Sequence, residues 1–149
     1  MNARPTPRSS VLVLLAGATV VALAGCSGGG STTPPKADFT VEANAICTTG
    51  NKAIDDASKH LDTNDPVALK KFLTDVSLPN IEDQLKQIKG LGYPDGDRDR
   101  LQAIYAQMDK IVARLGKDSP AQVLHNAGDA FDGVNAELNA YGLTSCGNP

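Results

Sequence analysis

Residues 101–115 have the sequence Leu-Gln-Ala-Ile-Tyr-Ala-Gln-Met-Asp-Lys-Ile-Val-Ala-Arg-Leu, and this stretch decides the fold class. Its apolar side chains recur at steps of three and four, at Leu101, Ile104, Tyr105, Met108, Ile111, Val112 and Leu115. This spacing places them on one face of an α-helix. Gly116 and then Ser119-Pro120 follow, a pattern typical of one helix ending and another beginning. The stretch therefore predicts an amphipathic helix that buries one face against other helices.

The same spacing predicts three more helices. The first has an apolar face made of Phe39, Ala43, Ile46, Gly50, Ile54, Ala57 and Leu61. The second begins at Asp65-Pro66 and has a face made of Leu69, Phe72, Leu73, Val76, Ile81, Leu85 and Ile88. The fourth begins at Ser119-Pro120, ends near Gly142, and has a face made of Val123, Leu124, Ala127, Phe131, Val134, Leu138 and Tyr141. Four helices joined by short loops predict an all-α fold, an antiparallel four-helix bundle.

Two residues interrupt these patterns. Proline removes a backbone donor and clashes with the carbonyl four residues before it, so we expect the second helix to kink or restart at Pro79. Gly50 is a poor helix former, but the missing side chain allows a neighbouring helix to approach closely.

A different pattern precedes the helices. Arg4 and Arg8 lie within residues 1–10, residues 11–23 are apolar or small, and Ala24-Gly25-Cys26 follows. A basic segment, a short apolar segment and small residues are typical of a secretory signal peptide. The apolar segment is shorter than the about 20 residues that a transmembrane helix requires.

The string Leu23-Ala24-Gly25-Cys26 resembles the lipobox of bacterial lipoprotein precursors. The resemblance implies cleavage between Gly25 and Cys26, a diacylglyceryl group on the Cys26 thiol, and further acylation of the new amino group, with palmitate as a typical chain. Two or more acyl chains anchor a protein stably, whereas one does so only marginally. We therefore expect a lipid-anchored protein on the extracytoplasmic face of the cell membrane. The alternative is an ordinary secreted protein with a chance cysteine at the cleavage site.

These patterns divide the chain into three parts. Residues 1–25 form the expected signal peptide, residues 26–36 form the lipidated cysteine and a flexible tether, and residues 37–149 form the helical domain. The tether is rich in glycine, serine, threonine and proline, and it has little to bury.

Assigning Cys26 to lipid leaves Cys47 and Cys146, and an even number of cysteines in an exported protein favours a disulfide. The chain also resembles small uncharacterised helical lipoproteins of high-GC Gram-positive bacteria. The similarity lies in Ala-Asn-Ala-Ile-Cys at residues 43–47 and in Tyr-Gly-Leu at residues 141–143 followed by Cys146. We expect a Cys47–Cys146 disulfide that closes the bundle; two free buried thiols are the alternative.

No stretch carries a convincing catalytic or metal-binding motif. Residues 95–99 begin like a calcium loop but lack its later glycine and glutamate, so they are interpreted as a polar loop before a helix. His60 and His125 lack a nearby ligand set, and Asp129 and Asp132 lie off the apolar face of the fourth helix. We therefore expect no catalytic residue, no bound metal and no cofactor, and the protein is not expected to be an enzyme.

Charge and composition limit the classes of molecule that the domain is expected to bind. The chain has a net charge of −3, and losing Arg4 and Arg8 with a signal peptide would leave −5. An acidic domain is poorly suited to nucleic acid. We expect the domain to act as an interaction or envelope-associated module with a protein partner. The alternative is a helical bundle that binds a small molecule or lipid in an internal apolar groove.

The lipid anchor is tested by Cys26→Ala. We expect this variant to leave the membrane fraction, or to accumulate as uncleaved precursor, because the acceptor thiol is missing. Detergent phase partitioning and the mass of the N-terminal peptide measure both outcomes. Normal processing together with unchanged partitioning into detergent would contradict the assignment.

Overall fold

Seven α-helices and one π-helical turn account for all regular structure in residues 33–149, the part of the chain that the computed structural model describes. The α-helices are α1 (Lys36–Ser58), α2 (Pro66–Phe72), α3 (Leu78–Gly90), α4 (Arg98–Leu115), α5 (Pro120–Asn126), α6 (Asp132–Tyr141) and α7 (Thr144–Gly147). The expected all-α class is therefore confirmed for these residues. The expectations for the signal peptide, Gly25, Cys26 and most of the tether lie outside the described residues.

Helix α4 begins three residues before the predicted stretch and ends at the predicted Leu115. The apolar face is buried as expected at Leu101, Ile104, Tyr105, Val112 and Leu115. Helix α1 ends at Ser58, so its predicted last apolar position, Leu61, lies in the following turn. None of the helices within residues 33–149 is both long and apolar enough to cross a membrane.

The second helical segment contains the expected interruption near Pro79 in the form of a π-helical turn. Asp65 caps α2 by accepting hydrogen bonds from the backbone N–H groups of Val67 and Ala68. Residues Leu73–Ser77 then widen into the π-helical turn, and α3 begins at Leu78. The Leu78 N–H donates to the Leu73 carbonyl, five residues back. This wider turn accommodates a proline that cannot donate its own hydrogen bond.

The prediction that the fourth segment forms a single helix is wrong. The chain leaves the helix after Asn126 and resumes it at Asp132, with a turn between α5 and α6. Gly128 and Asp129 in this turn are poor helix formers. The break also lets Phe131 pack against two separate groups of core residues. Leu124, assigned to the buried face, is 43% exposed.

The buried side chains form two clusters. The main core draws on α1, α3, α4, α6 and Leu143, and its fully buried members include Phe39, Leu101, Ile104 and Leu138. The second cluster lies at the other end of α4 and consists of Leu73, Leu78, Val112, Leu115 and Val123. Ile111 and Phe131 pack against both clusters.

The C-terminal tail is fastened to α1, and we call this connection the tail clamp. The predicted Cys47–Cys146 disulfide is present, with the two Cα atoms 5.0 Å apart. Asn44, one turn before Cys47, donates to the Gly142 carbonyl over 3.0 Å and accepts from the Ser145 N–H over 2.9 Å. Asn51, one turn after Cys47, donates to the Ser145 carbonyl over 2.7 Å. Three successive positions on one face of α1 thus hold the same short tail.

Gly142 makes the turn into the clamp possible. Its φ is +109°, a left-handed conformation that residues with side chains rarely adopt. The Gly142 and Leu143 N–H groups both bond to the Leu138 carbonyl at the end of α6. The chain therefore turns back immediately, and Leu143 enters the main core with no exposed surface.

Removing the disulfide with Cys47→Ala plus Cys146→Ala should lower the melting temperature by roughly 10 °C or more. The bridge spans 99 residues, and losing a native disulfide typically costs about 2–5 kcal/mol. Thermal unfolding followed by circular dichroism measures the change. Val41→Ala is the matched control, since Val41 is 70% exposed on the same helix as Cys47 and lies outside the bridge. Equal melting temperatures for the double variant and the control would show that the bridge contributes little.

Candidate ligand cavity

A cavity of about 250 Å³ lies between α1, α3, α4, the turn before α6, α6 itself and the C-terminal tail. The disulfide forms part of its wall, because both Cys47 and Cys146 line it. Most other lining groups are apolar: Ile54, Ile81, Leu85, Ile88, Tyr105, Met108, Ala127, Phe131, Leu138 and Leu143. No lysine, arginine, histidine, aspartate or glutamate lines it.

The cavity lies where the two core clusters meet. Leu85, Ile88 and Leu138 belong to the main core, whereas Ile81 and Ala127 pack against the second cluster. The break between α5 and α6 runs along this junction and contributes Ala127 and the side-chain-free Gly128 to the wall.

Three amide side chains supply the polar part of the lining, and each comes from a different helix: Asn51 on α1, Gln84 on α3 and Asn135 on α6. Each occupies a core-facing position within an apolar stripe of period three and four. The stripes are 47-50-51-54 on α1, 81-84-85-88 on α3 and 131-134-135-138 on α6. The sequence analysis did not single out these residues, although a polar residue within an apolar stripe indicates a buried polar side chain.

Gln84 is buried to a degree unusual for a polar side chain, with 8% of its surface exposed. It packs directly onto Gly50, where an added Cβ atom would lie 2.2 Å from its Nε2 atom. Its Nε2 group donates to Asn80 Oδ1 over 2.7 Å. The space left by the missing side chain at Gly50 is therefore filled by this one side chain of α3.

Tyr105 lines the cavity with its ring and not with its hydroxyl. The residue is 3% exposed, and its hydroxyl oxygen is sealed from solvent without a hydrogen-bond partner among the described residues. Burial raises the pKa of this hydroxyl, with a smaller contribution from Tyr93, so the group stays protonated. Because this hydroxyl is buried, it is not available to a molecule in the cavity, and Tyr105 contributes an apolar surface to the wall.

The residues considered as candidates for metal binding or acid–base chemistry lie outside the cavity. Asp97, in the loop that resembled a calcium site, accepts from the Tyr141 hydroxyl over 2.7 Å and pairs with Lys36 over 3.1 Å. These two partners hold the pKa of the Asp97 carboxyl below its usual value. This arrangement fastens the start of α1 to the loop before α4, as expected of a structural polar loop.

His60, His125, Asp129 and Asp132 are all exposed, and none of them lines the cavity. Within residues 33–149 no group of three or more histidine, cysteine, aspartate or glutamate side chains could hold a metal ion.

No family model, curated protein or solved structure matches this chain.

Replacing Gly50 tests how tightly Gln84, which lines the cavity, is packed against α1. Gly50→Ala should destabilise the protein by about 1–3 kcal/mol, because the new methyl group must displace the buried Gln84 side chain. Gly133→Ala in α6 is the matched control, since nothing lies within 4 Å of its added Cβ atom. That control should be neutral or stabilising by up to about 1 kcal/mol. Urea unfolding gives both values, and equal effects would contradict the packing described here.

Proposed function

We propose that this protein is a membrane-anchored extracytoplasmic lipoprotein whose helical domain binds a small, mainly apolar molecule in the cavity. One observation carries the binding function: the cavity of about 250 Å³ has an apolar lining with a few amides from separate helices. Ligand sites commonly have this composition, with a few polar groups fixing the orientation of an apolar ligand. The anchor rests on the Leu23-Ala24-Gly25-Cys26 sequence.

The proposal includes an antiparallel four-helix bundle as the frame of the site. Contacts between α1 and α3, between α3 and α4, and between α4 and α6 support this arrangement, as do contacts between α2 and α5. In such a frame the broken fourth segment supplies two short helices in place of one. Sites in helical bundles are typically built from side chains on facing helices.

The volume limits the size of the ligand. It exceeds the roughly 150 Å³ of an engineered apolar cavity that binds benzene, and it falls just below the approximately 300–1,000 Å³ of drug-sized sites. An occupant with a chain of about eight carbons, or with one to two rings, suits this range. At about 0.8 kcal/mol for each buried CH₂ group, eight carbons contribute on the order of 6 kcal/mol of apolar transfer free energy, from which the cost of immobilising the ligand is subtracted.

The expected protein-interaction module has less support. The large apolar side chains that are exposed within residues 33–149 are Val41, Val67 and Leu124, and they lie on α1, α2 and α5. Single exposed apolar residues are ordinary on protein surfaces, whereas a docking surface is typically a contiguous patch. The binding function therefore takes precedence over the interaction module.

Native mass spectrometry of the full-length protein released from detergent tests the binding function. We expect the wild-type protein to retain a small neutral molecule, seen as a mass increment that disappears on collisional activation. Ala127→Leu should lose the increment, because the larger side chain fills the cavity that Ala127 lines.

Ala121→Leu is the matched control, because Ala121 is exposed on α5 and does not line the cavity. This variant should retain the increment. Retention by Ala127→Leu as well, or no increment in the wild-type protein, would contradict the proposed function.

A further inference from the structure

The lining of the cavity runs from a buried floor to an exposed rim. Ile88 and Leu138 belong to the floor, and each is at most 5% exposed. Gly128 and Pro149 are exposed and Asn51 is half-buried, so these residues form the rim. Asn51 and Pro149 also line an adjoining open groove of about 310 Å³ between α1 and the C-terminal tail. The cavity therefore meets a second space at its rim.

This second space, which we call the polar groove, differs from the cavity in its chemistry. Besides Asn51 and Pro149, it is lined by side chains that carry hydroxyl, amide or charged groups: Thr48, Lys52, Asp55, Ser145 and Asn148. No charged residue lines the cavity itself. A mainly apolar space and a polar space thus lie side by side and share two residues.

We infer that the site takes a single-chain amphiphile with an uncharged, hydroxyl-bearing head, such as a monoacylglycerol, with its chain in the cavity and its head in the polar groove. This inference rests on the proposed function and specifies the ligand class. The reverse orientation would bury hydroxyl groups against apolar side chains such as Ile88 and Leu138. Burying a hydroxyl without a hydrogen-bond partner is costly, whereas the inferred orientation matches each part of the ligand to a surface of similar polarity.

The volume of the cavity limits the ligand to one chain. A space of about 250 Å³ suits a chain of about eight carbons, and the side chains of the polar groove are mostly hydrophilic. Both chains of a two-chain lipid are already buried in a bilayer. Moving such a lipid to this site would leave its second chain exposed to water, so we expect it to be excluded.

The charges of the polar groove favour an uncharged head. One cation, Lys52, and one anion, Asp55, line the groove, so neither sign of charge dominates it. Lys52 already pairs with Asp56 over 2.6 Å. The Asp55 carboxylate forms no ion pair and accepts no hydrogen bond within residues 33–149. Hydroxyl groups both donate and accept, so a glycerol head suits Asp55 together with the neighbouring hydroxyl of Ser145.

Intermolecular nuclear Overhauser effects test the orientation, with the full-length protein in lipid nanodiscs and 1-monooctanoylglycerol as the probe. We expect contacts from the terminal methyl group of the chain to the methyl groups of Ile88 and Leu138, which line the cavity floor. We expect contacts from the glycerol protons to the methyl group of Thr48, which lines the polar groove. The opposite set of contacts would overturn the orientation.

Three probes with the same eight-carbon chain test the ligand class. 1-Monooctanoylglycerol has one chain and a hydroxyl-bearing head, methyl octanoate lacks the hydroxyl groups, and 1,2-dioctanoylglycerol adds a second chain. Calorimetric titration of the full-length protein in nanodiscs, with empty nanodiscs as the reference, gives each Kd. We expect 1-monooctanoylglycerol to bind about three- to tenfold more tightly than methyl octanoate, and at least about a hundredfold more tightly than 1,2-dioctanoylglycerol.

The contact between the head and the polar groove is tested by the ratio of the two single-chain probes. Asp55→Ala removes an acceptor from the groove and leaves the cavity lining unchanged, so the preference for 1-monooctanoylglycerol over methyl octanoate should fall to about twofold or less. Glu42→Ala is the matched control, because Glu42 is exposed on the same helix and lines neither space. The control should keep the wild-type ratio.

The outcomes separate this inference from the proposed function. Equal binding of the two single-chain probes, or an unchanged ratio in Asp55→Ala, would overturn the assignment of the polar groove to the head. Binding of 1,2-dioctanoylglycerol as tight as that of 1-monooctanoylglycerol would overturn the limit to one chain. In each of these cases, loss of the binding in Ala127→Leu would leave the ligand-binding function standing. No binding of any probe would overturn both.

Discussion

The attachment of the C-terminal tail to the first helix is the constraint on which the rest of the structure depends. Cys47 bonds covalently to Cys146, while Asn44 and Asn51 hold the same tail by hydrogen bonds from the turns on either side. The covalent bond limits the unfolded chain, and the hydrogen bonds fix the orientation of the tail in the folded state. Together they bring Leu143 and Cys146 against α1, where they complete both the main core and one wall of the cavity.

The cavity forms where the other helices pack against α1 and the C-terminal tail. Gly50 leaves room on α1 for the Gln84 side chain of α3, which lines the cavity. On the opposite side the fourth segment breaks at Gly128, so no continuous helix fills the junction between the two core clusters. The cavity therefore combines helical walls on α1 and α3 with a turn that carries Ala127 and Phe131. A site supported by regular helices on most sides is preorganised for its ligand.

The features set by local pattern were predictable from the sequence. The apolar periodicity of residues 101–115 predicted α4, Asp65-Pro66 predicted the start of α2, and Gly142 predicted the end of α6. The disulfide followed from the two cysteines left in a chain expected to be exported. The Asn44 contacts give a physical reason for the Ala-Asn-Ala-Ile-Cys and Tyr-Gly-Leu segments to occur together, since the asparagine bonds across the turn that follows Tyr141.

The features set by tertiary packing were not predictable in the same way. The apolar stripe runs unbroken from Val123 to Tyr141, and the break inside it falls at Gly128 and Asp129, next to Phe131, which packs against both clusters. Asn51, Gln84 and Asn135 were overlooked because each stripe stands out by its apolar members, although each amide lies on the buried face. Which helices face one another, and hence whether three amides share one cavity, depends on contacts between distant parts of the chain.

The most direct test of the cavity as the binding site is a methyl NMR titration of the full-length protein with 1-octanol. We expect saturable shifts for the methyl groups of Ile54, Ile81 and Leu138, which line the cavity from three helices. We expect no matching shifts for Val41 and Val67, which are 70% and 65% exposed on the surface. Shifts confined to Val41 and Val67, or a response of the cavity methyl groups no larger than that of the surface ones, would contradict the cavity as the binding site.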